Sequence, residues 1–309
     1  MENLENTTMI NHVIDLGSNK SIRIWETLPK INTKKRKNTI IIVSSFTKKM
    51  DHFSGLAEYL SNNGFHIIRY DSLHHVGLSS GNINEFTMTA GKNNLLTIIN
   101  WLKTRGINQL GLFAASLSAR IAYEIAASIK LSFLVTAVGV INLRDTLKRA
   151  LKCDYLQLAI EDLPKSFNFE GHNFEAKSFV VDCLNNKWDT LESTKNKLNN
   201  LDIPFIIFTA NNDNWVKESE VIELIDNIHS DRCKIYSLIG GSHNLGANLV
   251  VLRNFYQSIT KAAIVADHGS VDIDINIDIN EPQFETLTTV TVNERRLKNK
   301  IESEMLSIV

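Results

Sequence analysis

The sequence predicts an α/β architecture in which a mostly parallel central sheet carries helices on both faces and a cap insertion sits over it. Three observations lead there. Strand-type and helix-type segments alternate along most of the chain. The run 39–43 (Thr-Ile-Ile-Ile-Val) is β-branched without polar alternation, as a strand covered on both faces requires. The alternation lapses once, between about 142 and 200, which is simplest as an insertion over the sheet. Repeated strand–helix–strand units need crossover connections, and these give parallel strands.

The chain opens with two alternating segments, 11–16 and 20–28, on either side of Gly17-Ser18-Asn19, so the start is an antiparallel hairpin. The basic run 34–37 reads as a solvated turn leading into the strand at 39–43. There follow a helix at 51–63 closed by Gly64, a strand at 65–70, a helix at 87–104 ended by Gly106, a strand at 107–113, a helix at 117–127 and a strand at 133–140. Inside the insertion, 145–159 reads as a helix, and Phe167, Phe169, Phe174 and Trp188 stand among polar residues. Regularity returns with a strand at 204–209, a helix at 217–228, a strand at 233–238 and a helix at 245–263. The Asp/Ile alternation of 271–280 predicts an edge strand, and 293–307 a short amphipathic helix. The expected organisation is one domain over 1–309, with a cap insertion at about 142–200 and a C-terminal extension at about 267–309.

Composition removes several classes of function. Hydrophobic residues make up 43% of the 309 and charged residues 22%, the balance of a packed protein and not of a disordered one. Lys plus Arg number 33 against 34 Asp plus Glu, so no global positive field gathers nucleic acid. Apolar runs such as 40–43 and 205–208 fall far short of the roughly 20 residues of a membrane helix. Glu2 and Glu5 stand where a signal peptide carries basic residues, and Cys153, Cys183 and Cys233 form no C-x-x-C pair. The expectation is a cytoplasmic protein with reduced thiols, no metal and no cofactor.

The chemistry gathers at strand ends. Ser116 lies between a predicted strand and a predicted helix, and a turn that tight needs small residues two before and two after its apex, which Ala114 and Ser118 provide. The pattern is Ala-x-Ser-x-Ser in place of Gly-x-Ser-x-Gly, and taken alone Ser116 reads better as a helix N-cap. Two further residues reverse that balance. Asp213 follows the strand at 204–209, and His243, in Gly240-Gly241-Ser242-His243, follows the next strand. Ser, Asp, His is the chain order of a hydrolase triad, and ligand sites form at the carboxyl ends of such strands. Acyl chemistry also needs donors for a tetrahedral oxyanion. The backbone N–H of Leu117 is one candidate and that of Phe46, in the Ser44-Ser45-Phe46 turn, the other, with Ser45 where a glycine is usual. Among competitors, His268 follows the last core helix, Asp226 and Asp231 lie at the wrong end of a strand, and His74 and His75 diverge as adjacent side chains with no ligand cluster nearby.

Over about 10–265 these residues resemble the α/β-hydrolase superfamily. The segment 70–81 is similar to that superfamily's Asp-x-x-Gly-x-Gly-x-Ser-x-Gly loop, departing from it at the first glycine. More narrowly, Ala-Ser-Leu-Ser-Ala at 115–119, the Ser-Ser-Phe turn, Asn-Asn-Asp-Asn-Trp-Val at 211–216 and Gly-Ser-His-Asn-Leu-Gly at 241–246 closely resemble the acyltransferases of luminous bacteria, along the whole chain. That resemblance implies release of tetradecanoyl groups from acyl carrier protein, as fatty acid, to a fatty acid reductase complex of reductase and acyl-protein synthetase. The complex makes the aldehyde for bacterial luciferase. The residues by themselves imply acyl transfer through an acyl-serine at Ser116. Two alternatives stand beside it: a generic carboxylesterase, and a hydrolase-fold binding protein without activity.

Overall fold

The computed structural model describes residues 9–226, 228, 231–273, 276–283, 287 and 301. Its frame is an eight-stranded sheet in the order β1-β2-β4-β3-β5-β6-β9-β10. The hairpin of β1 (Met9–Asp15) and β2 (Ser21–Thr27) is antiparallel, turning at Gly17, Ser18 and Asn19 with positive φ. Strand β2 pairs antiparallel with β4 (His66–Tyr70). From β4 onward every pairing is parallel, through β3 (Thr39–Ile42), β5 (Leu110–Ala115), β6 (Phe133–Ala137), β9 (Phe205–Ala210) and β10 (Cys233–Leu238).

The all-apolar central strands are buried on both faces. On β3, Ile41 joins one core cluster while Ile40 and Ile42 join another, the period-two alternation of a pleated strand. On the first face lie α2 (Met88–Thr104) and α3 (Leu117–Ala126). On the second lie α1 (Ser54–Asn62) and the long α8 (Leu249–Asp267). The intervening helix α7 (Glu218–Ile225) puts Val221 and Leu224 on the first face. Two helices begin later than periodicity suggests, because a 3-10 turn precedes them: Met50–Phe53 before α1, and Leu245–Ala247 before α8. The α8 start is set by Asn248, whose side chain accepts the N–H groups of Val250 and Val251.

Between β6 and β9 the chain leaves the sheet. The expected helix at 145–159 is shorter: α4 spans Leu143–Leu151, started by the Asn142 side chain at the Asp145 N–H and stopped by Lys152 at φ 58. Two 3-10 turns, Tyr155–Gln157 and Ile160–Asp162, occupy the remainder. Then come the hairpin of β7 (Ser166–Phe169) and β8 (His172–Glu175), α5 (Ala176–Asn185) and α6 (Leu191–Leu198). The aromatics scattered in sequence meet here: Phe167, Phe174 and Phe179 pack mutually, with centroids 3.9–5.7 Å apart.

The edge strand expected at 271–280 is absent from the described residues of that stretch. Instead the chain lies against the second face, with Ile273, Ile277 and Ile279 packed on the core and Asn280 paired to Asn63 in both directions. Burying one apolar side against existing helices needs no new ladder. The helix expected at 293–307 lies outside the described residues, Ile301 excepted.

One buried charge cluster ties the antiparallel edge together. Glu26, 2% exposed, accepts from His12 Nε2 at 2.5 Å, from His66 Nε2 at 2.6 Å and from Arg105 Nη2 at 3.1 and 3.2 Å. Burial alone would raise the carboxyl pKa, but the hydrogen bonds from His66, His12 and Arg105 outweigh it and hold the group at about 2. A carboxylate depressed below its ordinary 4.5 adds stability that is complete above 4.5 and is lost as pH falls toward about 2. Glu26→Gln should therefore lower unfolding free energy by ~3 kcal/mol at neutral pH. Urea titrations should show the gap to wild type narrowing below pH 4.5; a gap constant down to pH 3 would contradict this account.

Candidate active site

The site begins with a backbone turn. Strand β5 ends at Ala115, α3 begins at Leu117, and Ser116 between them adopts φ 56 and ψ −131. Its N–H donates to Ala137 O at 3.1 Å, and its carbonyl accepts the N–H of Ala119 at 3.1 Å and of Val140 at 3.0 Å, so the bend is clamped between β6 and α3. Close approach explains the small neighbours. A Cβ on Gly139 would stand 2.7 Å from the Ala119 Cβ and 2.8 Å from the Tyr123 hydroxyl. Ser118 occupies the place where glycine is usual and closes the turn with its own side chain, donating to Ala115 O at 2.8 Å.

The structure brings Ser116, His243 and Asp213 together. The Ser116 hydroxyl donates to His243 Nε2 at 2.7 Å, and His243 Nδ1 donates to Asp213 Oδ2 at 2.8 Å. This bond to the carboxylate assigns the Nδ1–H tautomer, leaving Nε2 as the acceptor. The other carboxylate oxygen, Oδ1, is fixed by the N–H groups of Trp215 at 2.8 Å and Val216 at 3.1 Å. Asp213 is thus held on both oxygens and its side chain is 2% exposed, against 13% for His243. The acid and histidine loops are stitched to each other: Gly240 N–H donates to Asn211 Oδ1 at 2.8 Å, and Asn212 N–H to Gly241 O at 2.9 Å.

The turn after β3 faces the same space. Val43 N–H bonds Phe113 O, and the buried Ser45 hydroxyl donates to Ala115 O at 3.2 Å, docking the turn on the β5 end. The N–H groups of Phe46 and Leu117 meet no acceptor among the described residues. The segment after β4 ties down the chain just past this turn. Asp71 accepts Met50 N–H at 2.9 Å on one oxygen and Leu78 N–H at 2.8 Å on the other.

A cavity of about 360 Å³ opens beside Ser116 and His243, walled largely by Phe46, Phe53, Phe169, Trp215 and Phe255. Sequence reasoning left two of its contributors without a role. Trp215 packs on His243 with ring centroids 4.5 Å apart, and Phe169 at the β7–β8 turn packs on Trp215 at 5.2 Å and on Phe46 at 5.6 Å. The next residue, Glu170, accepts from the Thr47 hydroxyl and pairs with Lys48 at 3.4 Å. Trp215 could have been marked by its place two residues after the acid; Phe169 carries no local signal, because only the tertiary fold brings the hairpin over the site.

The competing residues lie outside the cavity beside Ser116. His268 meets Arg36, Asp226 ends α7, and His74 pairs with Glu85 while His75 turns inward. No group of three or more His, Cys, Asp or Glu suited to a metal occurs among the described residues. Nor is any described helix long and apolar enough to cross a membrane.

A parallel sheet with two antiparallel strands at one edge, and a serine at the sharp turn after β5, define an α/β-hydrolase fold. Among solved structures, Est1E from Butyrivibrio proteoclasticus with ferulic acid bound superposes with TM-score 0.67 at 16% identity, covering 82% of this chain and 98% of that one. A monoacylglycerol lipase from Paleococcus ferrophilus superposes with TM-score 0.59 at 14% identity, covering 79% and 99%. At such identities the likeness speaks to the fold alone. The acyl transferase family model matches residues 8–303, and the chain belongs to that family. It is 67% identical to an acyl transferase of Shewanella hanedai over all of both chains. It is 64% identical to one from Aliivibrio fischeri, covering 97% of each, and 61% identical to one from Photorhabdus luminescens along the full length of both.

The Asp71 support generates a test. Gly77 has φ +116, and a Cβ there would stand 2.1 Å from the Asp71 carboxyl carbon. Gly77→Ala should therefore destabilise by at least about 2 kcal/mol in urea unfolding, from backbone strain and displacement of Asp71. A change within about 0.5 kcal/mol, the range of ordinary surface substitutions, would contradict the close packing.

Proposed function

We propose that this acyl transferase uses Ser116, Asp213 and His243 to take tetradecanoyl groups from an acyl carrier protein thioester through an acyl-serine intermediate. The observation that carries the reading is the unbroken Ser116–His243–Asp213 chain, at 2.7 and 2.8 Å, opening on an apolar cavity. The long-chain donor, and delivery of the fatty acid to a reductase complex that makes aldehyde for bacterial luciferase, follow from the resemblance to luminous-bacteria acyltransferases. The named relatives agree with acyl transfer in general. We place the work in the cytoplasm, where carrier thioesters are made and thiols stay reduced.

In this mechanism the Ser116 oxygen attacks the thioester carbonyl as His243 Nε2 takes its proton. Asp213 holds the Nδ1–H tautomer and stabilises the imidazolium that forms. The Phe46 and Leu117 N–H groups receive the oxyanion, and neither meets another acceptor among the described residues. The carbon–sulfur bond then breaks, and the His243 proton leaves with the carrier thiol. Deacylation repeats the sequence, with His243 accepting a proton from water or an alcohol and returning it to Ser116. The cap at 142–200 encloses the acyl chain, each methylene withdrawn from water giving about 0.8 kcal/mol.

Two measurements check the reading. Turnover of acyl thioesters should peak near fourteen carbons, with adjacent lengths disfavoured by about 1–3 kcal/mol per methylene. A maximum at two to four carbons would instead favour a generic carboxylesterase. Asp213→Asn should lower kcat by roughly 10⁴-fold, since the amide favours the wrong imidazole tautomer. A near-normal rate would remove Asp213 from the mechanism.

A further inference from the structure

We infer that His75 is a positioning residue for acyl transfer, fixing the turn that presents the Phe46 N–H by accepting a hydrogen bond from the next residue. Thr47 N–H donates to His75 Nε2 at 3.1 Å. The bond is local to the chemistry, because Thr47 directly follows Phe46. It is also needed there: Thr47 sits at φ 61, a left-handed conformation that a β-branched residue adopts only when surroundings hold it. Three other tethers bear on the same turn: Lys48 N–H to Ser45 O at 3.0 Å, the Ser45 hydroxyl to Ala115 O and the Thr47 hydroxyl to Glu170. The first closes the turn on itself, the second fixes its beginning and the third depends on the cap, so the His75 bond ties the Thr47 peptide to the body of the protein.

The surroundings of the ring suit this duty on its Nε2 side, while Nδ1 is buried with no hydrogen-bond partner among the described residues. His75 is 5% exposed and packs edge-on against Phe46, with centroids 5.5 Å apart, and against Phe86 at 5.6 Å. Burial pushes its pKa down to about 4, which keeps the imidazole neutral and Nε2 available as an acceptor. A protonated ring would set one N–H against another.

The inference rests on the reading of Ser116 as nucleophile and Phe46 as oxyanion donor, but its tests are separable from that reading. In the intact wild-type protein, ¹⁵N shifts of labelled histidine should show His75 neutral and protonated on Nδ1. The Nε2–H tautomer would overturn the inference whatever the substrate proves to be. His75→Phe keeps a ring of similar size and removes the acceptor, whereas His75→Gln can return an oxygen close to the Nε2 position. The Phe variant should lower kcat for thioester turnover roughly 10- to 100-fold, less than outright loss of an oxyanion donor. KM should change by less than about threefold, and the ionisation of the pH–rate profile belonging to His243 should stay in place. Gln should restore most of the lost rate. Equal losses in Phe and Gln, or a folded Phe variant within about twofold of wild-type kcat, would refute the role. A wild-type enzyme that forms no acyl-Ser116 would refute the underlying reading instead.

Discussion

The turn at Ser116 is the constraint on which the rest of the site depends. Reversing from strand to helix at one residue places the backbone at φ 56 and ψ −131, a conformation that costs about 1–3 kcal/mol for a residue with a side chain. Three backbone hydrogen bonds, to the end of β6, to Val140 just beyond it and to α3, offset it. That geometry lifts the hydroxyl clear of the sheet at the carboxyl ends of its parallel strands. It also aims the first amide of α3 at the space above the serine, where the helix N-terminus favours negative charge. Every other feature of the site accommodates the turn: Ala114 and Gly139 leave room for it, and the loops after β9 and β10 bring an acid and a base to where its oxygen stands.

Enclosure gives those contacts their strength. The hydrogen-bond chain from Ser116 to Asp213 lies under Trp215 and Phe169, and electrostatic interactions grow as water is excluded. The insertion that supplies Phe169 is itself anchored to α3. Arg120, fully buried on α3, donates to the carbonyls of Trp188 and Lys187 and to the Ser193 hydroxyl, and lies 4.9 Å from the Trp188 ring. One helix thereby positions the serine at its start and the cap one turn later. The wall of the cavity beside Ser116 and Ser116 itself therefore hang on one rigid element.

The sheet was legible because its strands are apolar on both faces and its crossovers are regular; 39–43 and 204–209 announce central strands by composition alone. That Ser116, Asp213 and His243 would meet was legible by position, each just past a strand, although none has a distinctive neighbourhood by itself. Less legible was whatever depends on distant packing. The helix expected at 145–159 stops at Leu151 because Lys152 turns left-handed, a choice that nothing in the hydrophobic period encodes. The alternation at 271–280 reads as a strand, yet its isoleucines bury one side against helices without joining a ladder. His75 was read as one of two adjacent, diverging histidines; its contact with Thr47 arises from two loops that meet only in the folded chain.

The central claim is that Ser116 carries the acyl group between donor and acceptor. Acid-quenching the enzyme during turnover of a labelled tetradecanoyl thioester, digesting it and sequencing the labelled peptide by tandem mass spectrometry addresses that directly. The account predicts one acylated peptide, with the label on the Ser116 oxygen. Label on Ser45, on Ser242 or on a cysteine, or product release without any covalent intermediate, would contradict it.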